Sequence, residues 1–374
     1  MSTTSRNRVI YQSQALFSAP TGELTVTAAA HGLRRVQSCN YNFSVTRQDI
    51  NQFGELAAID RLILQEPTVA VDMSYYFEPT GFNESHLGLW TGSAQNTSTV
   101  SDHMLDRIIS SGADYNQKNI YVVVSDAGID ANDTTKMTDS TVDGIIGIGN
   151  AFLTSWSLEA SVGAIPTVSC ALEGQNIVFV GAAAASAIGN PAVDDGADTT
   201  ALTVNLPDGA GLFASATEVS AVRPGDITLT LGATSTDNTP MFGLNEADLK
   251  IQSASVAMTI GREPIRKLGK AFAFAREITF PVNCTMTVNA IVGASASNKL
   301  YTLMTSNGDN SKYYCELALT GYVGAVAKTA YVMLKGAKLN SQNFTSSIGP
   351  NQTVSLELSA QIGKNSGLHF RSAA

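Results

Sequence analysis

Charged side chains are scarce in this chain of 374 residues. They make up 15% of the sequence, and 23 Lys and Arg stand against 32 Asp and Glu, which gives a net charge of -9 at pH 7. A protein that grips nucleic acid regardless of sequence needs clustered Lys and Arg to displace the phosphate counterions. The composition therefore argues against non-specific binding of nucleic acid. It does not exclude DNA that passes close to the protein without being bound.

Cysteine and histidine number four each, and their spacing disfavours metal and redox sites. The cysteines show no Cys-x-x-Cys spacing, which zinc sites and dithiol motifs typically have. We expect buried free thiols. No histidine lies three or four residues from another metal-type ligand on a convincing helix. These residues are Cys39, Cys170, Cys284 and Cys315, with His31, His86, His103 and His369.

Motifs of catalysis and nucleotide binding are missing. The chain has no Gly-x-Ser-x-Gly motif and no Walker loop. It also has no Rossmann fingerprint, because the glycines of residues 144–149 have the wrong spacing for one. The acidic residues 126–133 lack the spacing and terminal Glu of an EF-hand. What repeats in the chain is Gly, Arg, apolar and hydroxyl positions. We therefore predict no enzyme, no cofactor and no metal site.

Long apolar runs are absent as well. The N-terminal residues have no apolar core of signal-peptide length, and no run approaches the ~20 residues of a membrane helix. We expect a protein that is made and kept in a cytoplasm.

Two blocks of sequence recur later in the chain, in the same order. Residues 36–63 align without a gap on residues 251–278, and residues 151–172 align on residues 337–358. Solenoid and propeller units repeat every ~20 to 50 residues, so this longer period indicates two copies of a whole domain. We predict a tandem duplication.

Chain length agrees with two domains at roughly 100 to 200 residues each. We place the first domain at residues 1–177, a connecting segment at 178–215 and the second domain at 216–374. The predicted fold class is mainly β (α+β).

Apolar and polar residues alternate in both copies of the first block and in the segment that follows each. Alternation with period two predicts strands with one buried and one polar face, typical of antiparallel pairing. The polar face holds small hydroxyl and amide groups and one carboxylate. A solvent-exposed face usually contains Lys and Glu. One interpretation is therefore a solvent-exposed face of unusually low charge. The other is the wall of a water-filled channel that does not bind what passes through it. The candidate lumen-facing residues are Ser38, Asn40, Asn42, Ser44, Asp72, Ser74, Ser253, Ser255, Thr259, Thr285, Thr287 and Asn289.

Between the paired strands lie residues 46–66 and their copy, residues 261–280. Their mixed spacing predicts a long loop or arm with some helical content, and loops this long are usually functional. We favour a contact with another subunit; the alternative is arginines paired inside their own domain. The arm candidates are Arg47, Ile50, Phe53, Gly54, Arg61, Arg262, Ile265, Leu268, Gly269 and Arg276.

Residues 99–112 have the pattern of a helix that packs on a sheet. Ser101 or Asp102 could cap its first turn, and Gly112 could end it. Its apolar stripe would be Val100, Met104, Leu105, Ile108 and Ile109.

Three segments carry a family likeness: NRVIYQSQALFSAPTGE, RVQSCNYNFSVTRQDINQFGELAAIDRLILQEPTVAVDMSYYF and SWSLEASVGAIPTVSCALEGQNI. They resemble the major tail tube proteins of long-tailed bacteriophages, particularly large forms with two tube domains. The resemblance implies tandem β-sandwich or barrel domains with a flanking helix. It implies that neighbouring subunits close an inner β-barrel, and that rings stack through long loops and terminal arms.

For a chain with two tube domains, the resemblance implies trimeric rings with pseudo-six-fold symmetry. The partners would be other copies of the chain, other tail proteins at the tube ends, and DNA that crosses the lumen without sequence-specific binding. The protein would reside in the virion tail after assembly in the host cytoplasm. The alternatives are a hub or distal tail protein with duplicated tube domains and an extracellular adhesin or carbohydrate-binding β protein.

Overall fold

The protein is mainly β. The computed structural model describes residues 14–63, 66–90, 102–104, 107, 117–126, 128–131, 142–181, 187–207, 222–234, 237–240, 249–292, 312–345 and 352–372. Strands account for 68% of the structure and helices for 5%, which confirms the predicted fold class.

Strands dominate the first half of the chain. The elements up to residue 181 are β1 (Gln14–Pro20), α1 (Ala28–His31), β2 (Val36–Ser44), β3 (Arg47–Ile50), β4 (Asp60–Ile63), β5 (Thr68–Tyr76), α2 (Phe82–His86), β6 (Asp102–His103), β7 (Gln117–Ser125), β8 (Val142–Ser161), β9 (Thr167–Gly174) and β10 (Asn176–Gly181). Four short strands follow: β11 (Ala187–Gly189), β12 (Val193–Asp194), β13 (Ala197–Asp198) and β14 (Thr203–Asn205).

The second half contains longer strands. They are β15 (Ile227–Thr234), β16 (Asp237–Pro240), β17 (Leu249–Ile265), β18 (Ala275–Val292), β19 (Tyr313–Val323), β20 (Val326–Thr345), β21 (Thr353–Gln361) and β22 (Gly367–Ser372). A 3-10 turn at Pro224–Asp226 precedes β15.

One large antiparallel sheet runs through both halves. Its order is β16-β15-β19-β20-β21-β18-β17-β8-β9-β5-β2. The long strand β8 pairs with β7 and β10 along its first part and with β9 and β17 along its second. Strand β20 similarly pairs with β19 and β22, and then with β21.

The ladder between β2 and β5 has the same register as the ladder between β17 and β18. Ser38 lies opposite Ser74, and the residues 215 positions further on, Ser253 and Asn289, also lie opposite each other. The register shift after Val36 recurs after Ile251. The match extends along the ladder: Asn40 lies opposite Asp72 and Ser255 opposite Thr287, and Ser44 lies opposite Thr68 and Thr259 opposite Asn283.

The second repeated block behaves in the same way, with an offset of 186. Leu153 lies opposite Leu172 in the β8–β9 ladder, and Leu339 lies opposite Leu358 in the β20–β21 ladder. Both ladders shift register directly after the first leucine. A register shift of this kind marks a β-bulge, which changes the local twist and is specific to a strand pair. Because it recurs at the equivalent position, the two ladders share their pairing and also this irregularity.

The two halves share one hydrophobic core. Val71 and Trp156 from the first half and Val256 and Leu356 from the second belong to a single cluster of buried side chains. Residue 177, the predicted end of the first domain, lies inside β10. Residues 187–206 of the predicted connecting segment contribute to a second cluster around Phe17 and Tyr121; the contributors are Ile188, Val204 and Leu206.

The predicted flanking helix at residues 99–112 is wrong at its start. Asp102 and His103 form β6, which pairs with Phe370 and His369 of β22. Backbone pairing with a distant strand overrides the local helical pattern here. Met104 is fully buried. Ser101 and residues 108–112, including the predicted end at Gly112, lie outside the described residues.

The helical content predicted for the arms is also wrong. Residues 47–63 form the hairpin β3–β4, and residues 261–279 form the outer end of the hairpin β17–β18. In both arms, backbone pairing between the two strands of the hairpin overrides the local helical spacing.

Candidate assembly surface

The twelve candidate lumen residues all lie on the solvent side of the large sheet, exposed or half-buried. Their sequence neighbours point into the core: Val71 and Met73 flank Asp72 and are at most 3% exposed. We call the solvent side of strands β2, β5, β8, β9, β17, β18, β20 and β21 the polar face. The alternation of the sequence predicted the inward and outward positions of these residues.

Short hydrogen bonds cross the ladders on this face. The hydroxyl oxygens of Ser38 and Ser74 lie 2.7 Å apart. At the equivalent position, the Asn289 side-chain amide donates to Ser253 Oγ at 2.9 Å. These two contacts satisfy part of the hydrogen-bonding capacity of Ser38, Ser74, Ser253 and Asn289 across the ladders.

Sequence reasoning missed several members of the polar face. Ser155, Ser157 and Ser169 line a shallow groove with Ser38 and Asp72. Three further carboxylates lie on it: Glu159 opposite Ser255, Glu357 opposite Thr287, and Glu173 opposite Ala70. Lys338 lies opposite Ser359 at one end of the face. The alternation in the second repeated block is the signal that could have identified these residues.

The two arms have equivalent geometry. Arg47 pairs with Ile63 in β3–β4, and Arg262 pairs with Ile278 at the same ladder position in β17–β18. Ile50 lies opposite Asp60, and Ile265 lies opposite Ala275.

Glycines turn the chain at both arm tips. Gly54 has a φ of 96° and Gly269 a φ of 81°, backbone conformations that favour glycine. The apolar side chains beside them, Phe53, Leu56 and Leu268, are fully exposed. Because large apolar side chains at full exposure often mark contact sites, the tips are candidate contact points.

The arginines of the arms have different partners in the two halves. Arg61 Nε lies 2.8 Å from Asp49 Oδ1 within its own hairpin. Arg276, whose side chain is 5% exposed, lies 2.8 Å from Glu173 Oε1 and 3.5 Å from Glu66 Oε1, both from the first half of the chain. The Arg262 guanidinium lies 4.3 Å from the centroid of the Phe152 ring.

Burial lowers the pKa of Arg262 to about 10. Arg262 and Arg276 connect the two halves of one chain, whereas Arg61 is paired inside its own half. Sequence spacing could not identify these partners, because Glu66, Phe152 and Glu173 lie about a hundred residues or more away along the chain.

A buried carboxyl group lies beneath the polar face. Glu84 on α2 accepts a hydrogen bond of 2.9 Å from the Tyr75 hydroxyl. Burial raises the pKa of Glu84 to about 7. Since both residues are almost completely buried, this pair belongs to the core and is not available to a solute.

The cysteines are free thiols, as predicted. Cys170, Cys284 and Cys315 are buried, and Cys39 is half-buried. Burial raises the pKa of Cys39 to about 11, so this thiol is protonated at neutral pH and is a poor nucleophile. Within the described residues no three His, Cys, Asp or Glu side chains are grouped as metal ligands.

No protein-family model matches the chain, and no curated protein sequence matches it. In the part of the chain that the structure describes, no helix has the length and apolarity to cross a membrane.

Proposed function

We propose that this protein is the structural subunit of a bacteriophage tail tube. Three chains would form a ring with pseudo-six-fold symmetry, and the rings would stack around a lumen that conducts DNA into the host. The chain would act as a wall component and not as an enzyme.

The observation that carries this proposal is the repetition of entire ladders. The β2–β5 and β17–β18 ladders match at one offset, and the β8–β9 and β20–β21 ladders match at another, including their register shifts. This match supports a tandem duplication. The two units join edge to edge through β8 and β17, so three chains would supply six similar units. Closing such a sheet into a barrel removes the edges that otherwise promote uncontrolled pairing.

The polar face has the chemistry that a DNA conduit needs. Double-stranded DNA carries one negative charge per ~1.7 Å of its axis, so a wall rich in Lys and Arg would retain it. The polar face consists mainly of serine, threonine and asparagine, with Asp72, Glu159 and Glu357 among them. On this proposal the polar face lines the lumen.

The arm tips would contact the neighbouring ring. Phe53, Leu56 and Leu268 project fully exposed at the ends of the two hairpins. Burial in an adjacent ring would remove their apolar surface from water, which is favourable. The N-terminal segment, for which the resemblance implies a similar role, lies largely outside the described residues.

Negative-stain electron microscopy of the purified full-length chain tests the proposal. We expect hollow tubes whose end-on views show three-fold rings with six similar lobes. Single rings that never stack would favour the hub or distal tail protein. Rings of six whole chains, or a monomer that persists at high concentration, would contradict the proposed assembly. Glycan binding by such a monomer would point to the adhesin.

A further inference from the structure

The two halves of the chain meet through a strand pair that we call the internal joint. It consists of Ser253–Thr259 of β17 paired antiparallel with Ser155–Ser161 of β8. At its centre Val256 lies opposite Leu158, and Met258 lies opposite Trp156. All four side chains are at most 1% exposed.

Each half also has an edge that corresponds to one side of the internal joint. By the offset of 215, β2 corresponds to β17. By the offset of 186, residues 341–345 of β20 correspond to residues 155–159 of β8. Among the described strands, β2 pairs only with β5, and residues 341–345 pair only with β21. Within the part of the chain that the structure describes, both edges are therefore open.

Side-chain exposure differs sharply between the closed and the open edges. Tyr41 and Phe43 of β2 are 41% and 46% exposed, whereas Val256 and Met258, at the same ladder positions, are 1% exposed. This corrects our prediction that β2 is half-buried, because none of the described strands lies beside its outer edge. On β20, Phe344 is 39% exposed, whereas the corresponding Leu158 is fully buried.

A side chain above the joint shows the same contrast. Phe370 of β22 lies opposite Val332, and its ring meets the Trp156 ring at 5.2 Å between centroids. The corresponding residue on β10 is Phe179, which lies opposite Ile146 and is 59% exposed. In the first half this aromatic side chain lacks the surface that covers its counterpart.

We infer that β2 of one chain pairs with β20 of the next chain in the register of the internal joint. A second copy of the protein is therefore the occupant of both open edges. The opposed pairs are Asn40 with Thr345, Tyr41 with Phe344, Asn42 with Asn343, Phe43 with Gln342, and Ser44 with Ser341. This inference rests on the proposed assembly of copies into a ring, and it specifies the contact that closes the ring.

Residue sizes fit this register. The internal joint places Met258 opposite Trp156, and the corresponding pair between chains is Phe43 opposite Gln342. Each pair combines one aromatic residue with one long unbranched residue. In the internal joint the aromatic residue, Trp156, is on β8, whereas between chains the aromatic residue, Phe43, is on β2. The pairing would also bring Phe179 of one chain over Gln342 of the other. Edge strands that stay open usually carry Lys or Pro, and β2 carries neither.

Disulfide cross-linking tests the register. Asn42→Cys and Asn343→Cys are introduced into separate, differently tagged chains that are co-expressed in a Cys39→Ala background, because Cys39 lies on the same strand. Directly opposed residues in an antiparallel ladder have Cα atoms ~4.5 to 5.5 Å apart, within the range of a disulfide. Diagonal neighbours lie ~7 to 8 Å apart, at or beyond its limit.

After mild oxidation of the assembled protein, we expect a disulfide dimer that contains both tags. The matched controls pair Asn42→Cys with Ser341→Cys or with Thr345→Cys, which shift the contact by two residues. Because they are diagonal, they should cross-link at least about ten-fold less. A diagonal pair that links better than the opposed pair would overturn the register.

Microscopy of the same samples separates this inference from the proposed function. Cross-linked rings that fail to stack would contradict the tube and support the joint. Normal tubes in which none of these cysteine pairs links would overturn the joint and leave the tube proposal standing. Chains that stay monomeric would contradict both.

A substitution gives an independent test that does not depend on cysteine. Tyr41→Asp should leave the single chain folded, because Tyr41 is exposed there, and should abolish ring formation by placing a charge in the joint. Leu202→Asp is the matched control, since Leu202 is 49% exposed and lies on the segment after β10. Normal rings from the Tyr41→Asp variant would overturn the inference.

Discussion

Phe370 and Phe179 occupy the same ladder position in the two halves of the chain, yet Phe370 is 1% exposed and Phe179 is 59% exposed. Phe370 packs edge-on against Trp156 and also stacks on Trp90, with 6.1 Å between centroids. Both tryptophans come from the first half of the chain. The last strand therefore stabilises residues that precede it by more than two hundred positions.

This relationship predicts opposite effects for two equivalent substitutions. Phe370→Ala should destabilise the single chain by ~3 to 5 kcal/mol, the usual cost of truncating a buried phenylalanine. Phe179→Ala should change its stability by under ~0.5 kcal/mol, as surface changes do, and should weaken ring formation. Denaturant unfolding of dilute protein measures the first effect and ring yield measures the second. Two separate unfolding transitions, with only one affected by Phe370→Ala, would contradict the shared core.

The buried Glu84 predicts a pH dependence of stability. Its pKa rises from the ordinary value of 4.5 to about 7 because burial disfavours the carboxylate. Between these pH values the folded chain binds more protons than the unfolded chain, so this group makes stability fall as the pH rises through the window. At about 1.4 kcal/mol per pKa unit, the full cost above pH 7 is roughly 3 kcal/mol.

Glu84→Gln removes this cost and keeps an acceptor for the Tyr75 hydroxyl. We expect the variant to be more stable than the parent protein by roughly 3 kcal/mol at pH 8 and similar to it near pH 4. Burial also lowers the pKa of His86 to about 4 and of His369 to about 2. These histidines make stability fall as the pH drops below 6.5, in both proteins alike, so they cancel in the difference.

Denaturant unfolding at several pH values measures the difference in the free energy of unfolding between the Glu84→Gln variant and the parent protein. Glu55→Gln, which changes an exposed carboxylate in the β3–β4 arm, is the control and should give a flat difference. A flat difference for Glu84→Gln as well would show that Glu84 is ionised without cost.

Added positive charge on the polar face should make the tube retain DNA. Asn40→Lys together with Ser255→Lys should leave folding nearly intact, because surface changes usually cost under ~0.5 kcal/mol. Tubes of this variant should bind a fluorescent DNA duplex at low salt and release it as the salt concentration rises. Co-sedimentation with tubes measures the binding.

Two Ala→Lys changes on α1, at the exposed Ala29 and Ala30, are the control because they add the same charge away from the polar face. Equal DNA binding by the two variants would show that the polar face is not the lumen. A double mutant that fails to fold would show that these positions need their native residues for packing.

The arm tips should be needed for stacking and dispensable for folding. Phe53→Ser with Leu56→Ser should give stable rings that no longer form tubes, because the apolar contact with the next ring is lost. Val162→Ser is the control, at a turn residue that is 68% exposed. Tubes of normal length from the tip variant would show that the rings meet elsewhere.

The sequence alone determined on which face of its strand each side chain lies, because this depends only on the adjacent residues along the chain. Alternation with period two placed Asn40 and Thr287 on the solvent side and Val71 and Val288 in the core, because successive side chains of a strand point to opposite faces. Comparison of the chain with itself aligned residues 36–63 with 251–278, and the ladders of the structure keep that alignment.

Tertiary structure decided what lies beside each strand. The hairpin of residues 47–63 and the strand at Asp102 escaped prediction because backbone pairing with a partner overrides local spacing. The sequence placed the equivalent residues Tyr41 and Val256 on the same face, yet only Val256 is covered, because β8 lies beside β17 and no described strand lies on the outer edge of β2. Burial depends on contacts between distant segments, whereas alternation depends on adjacent residues alone.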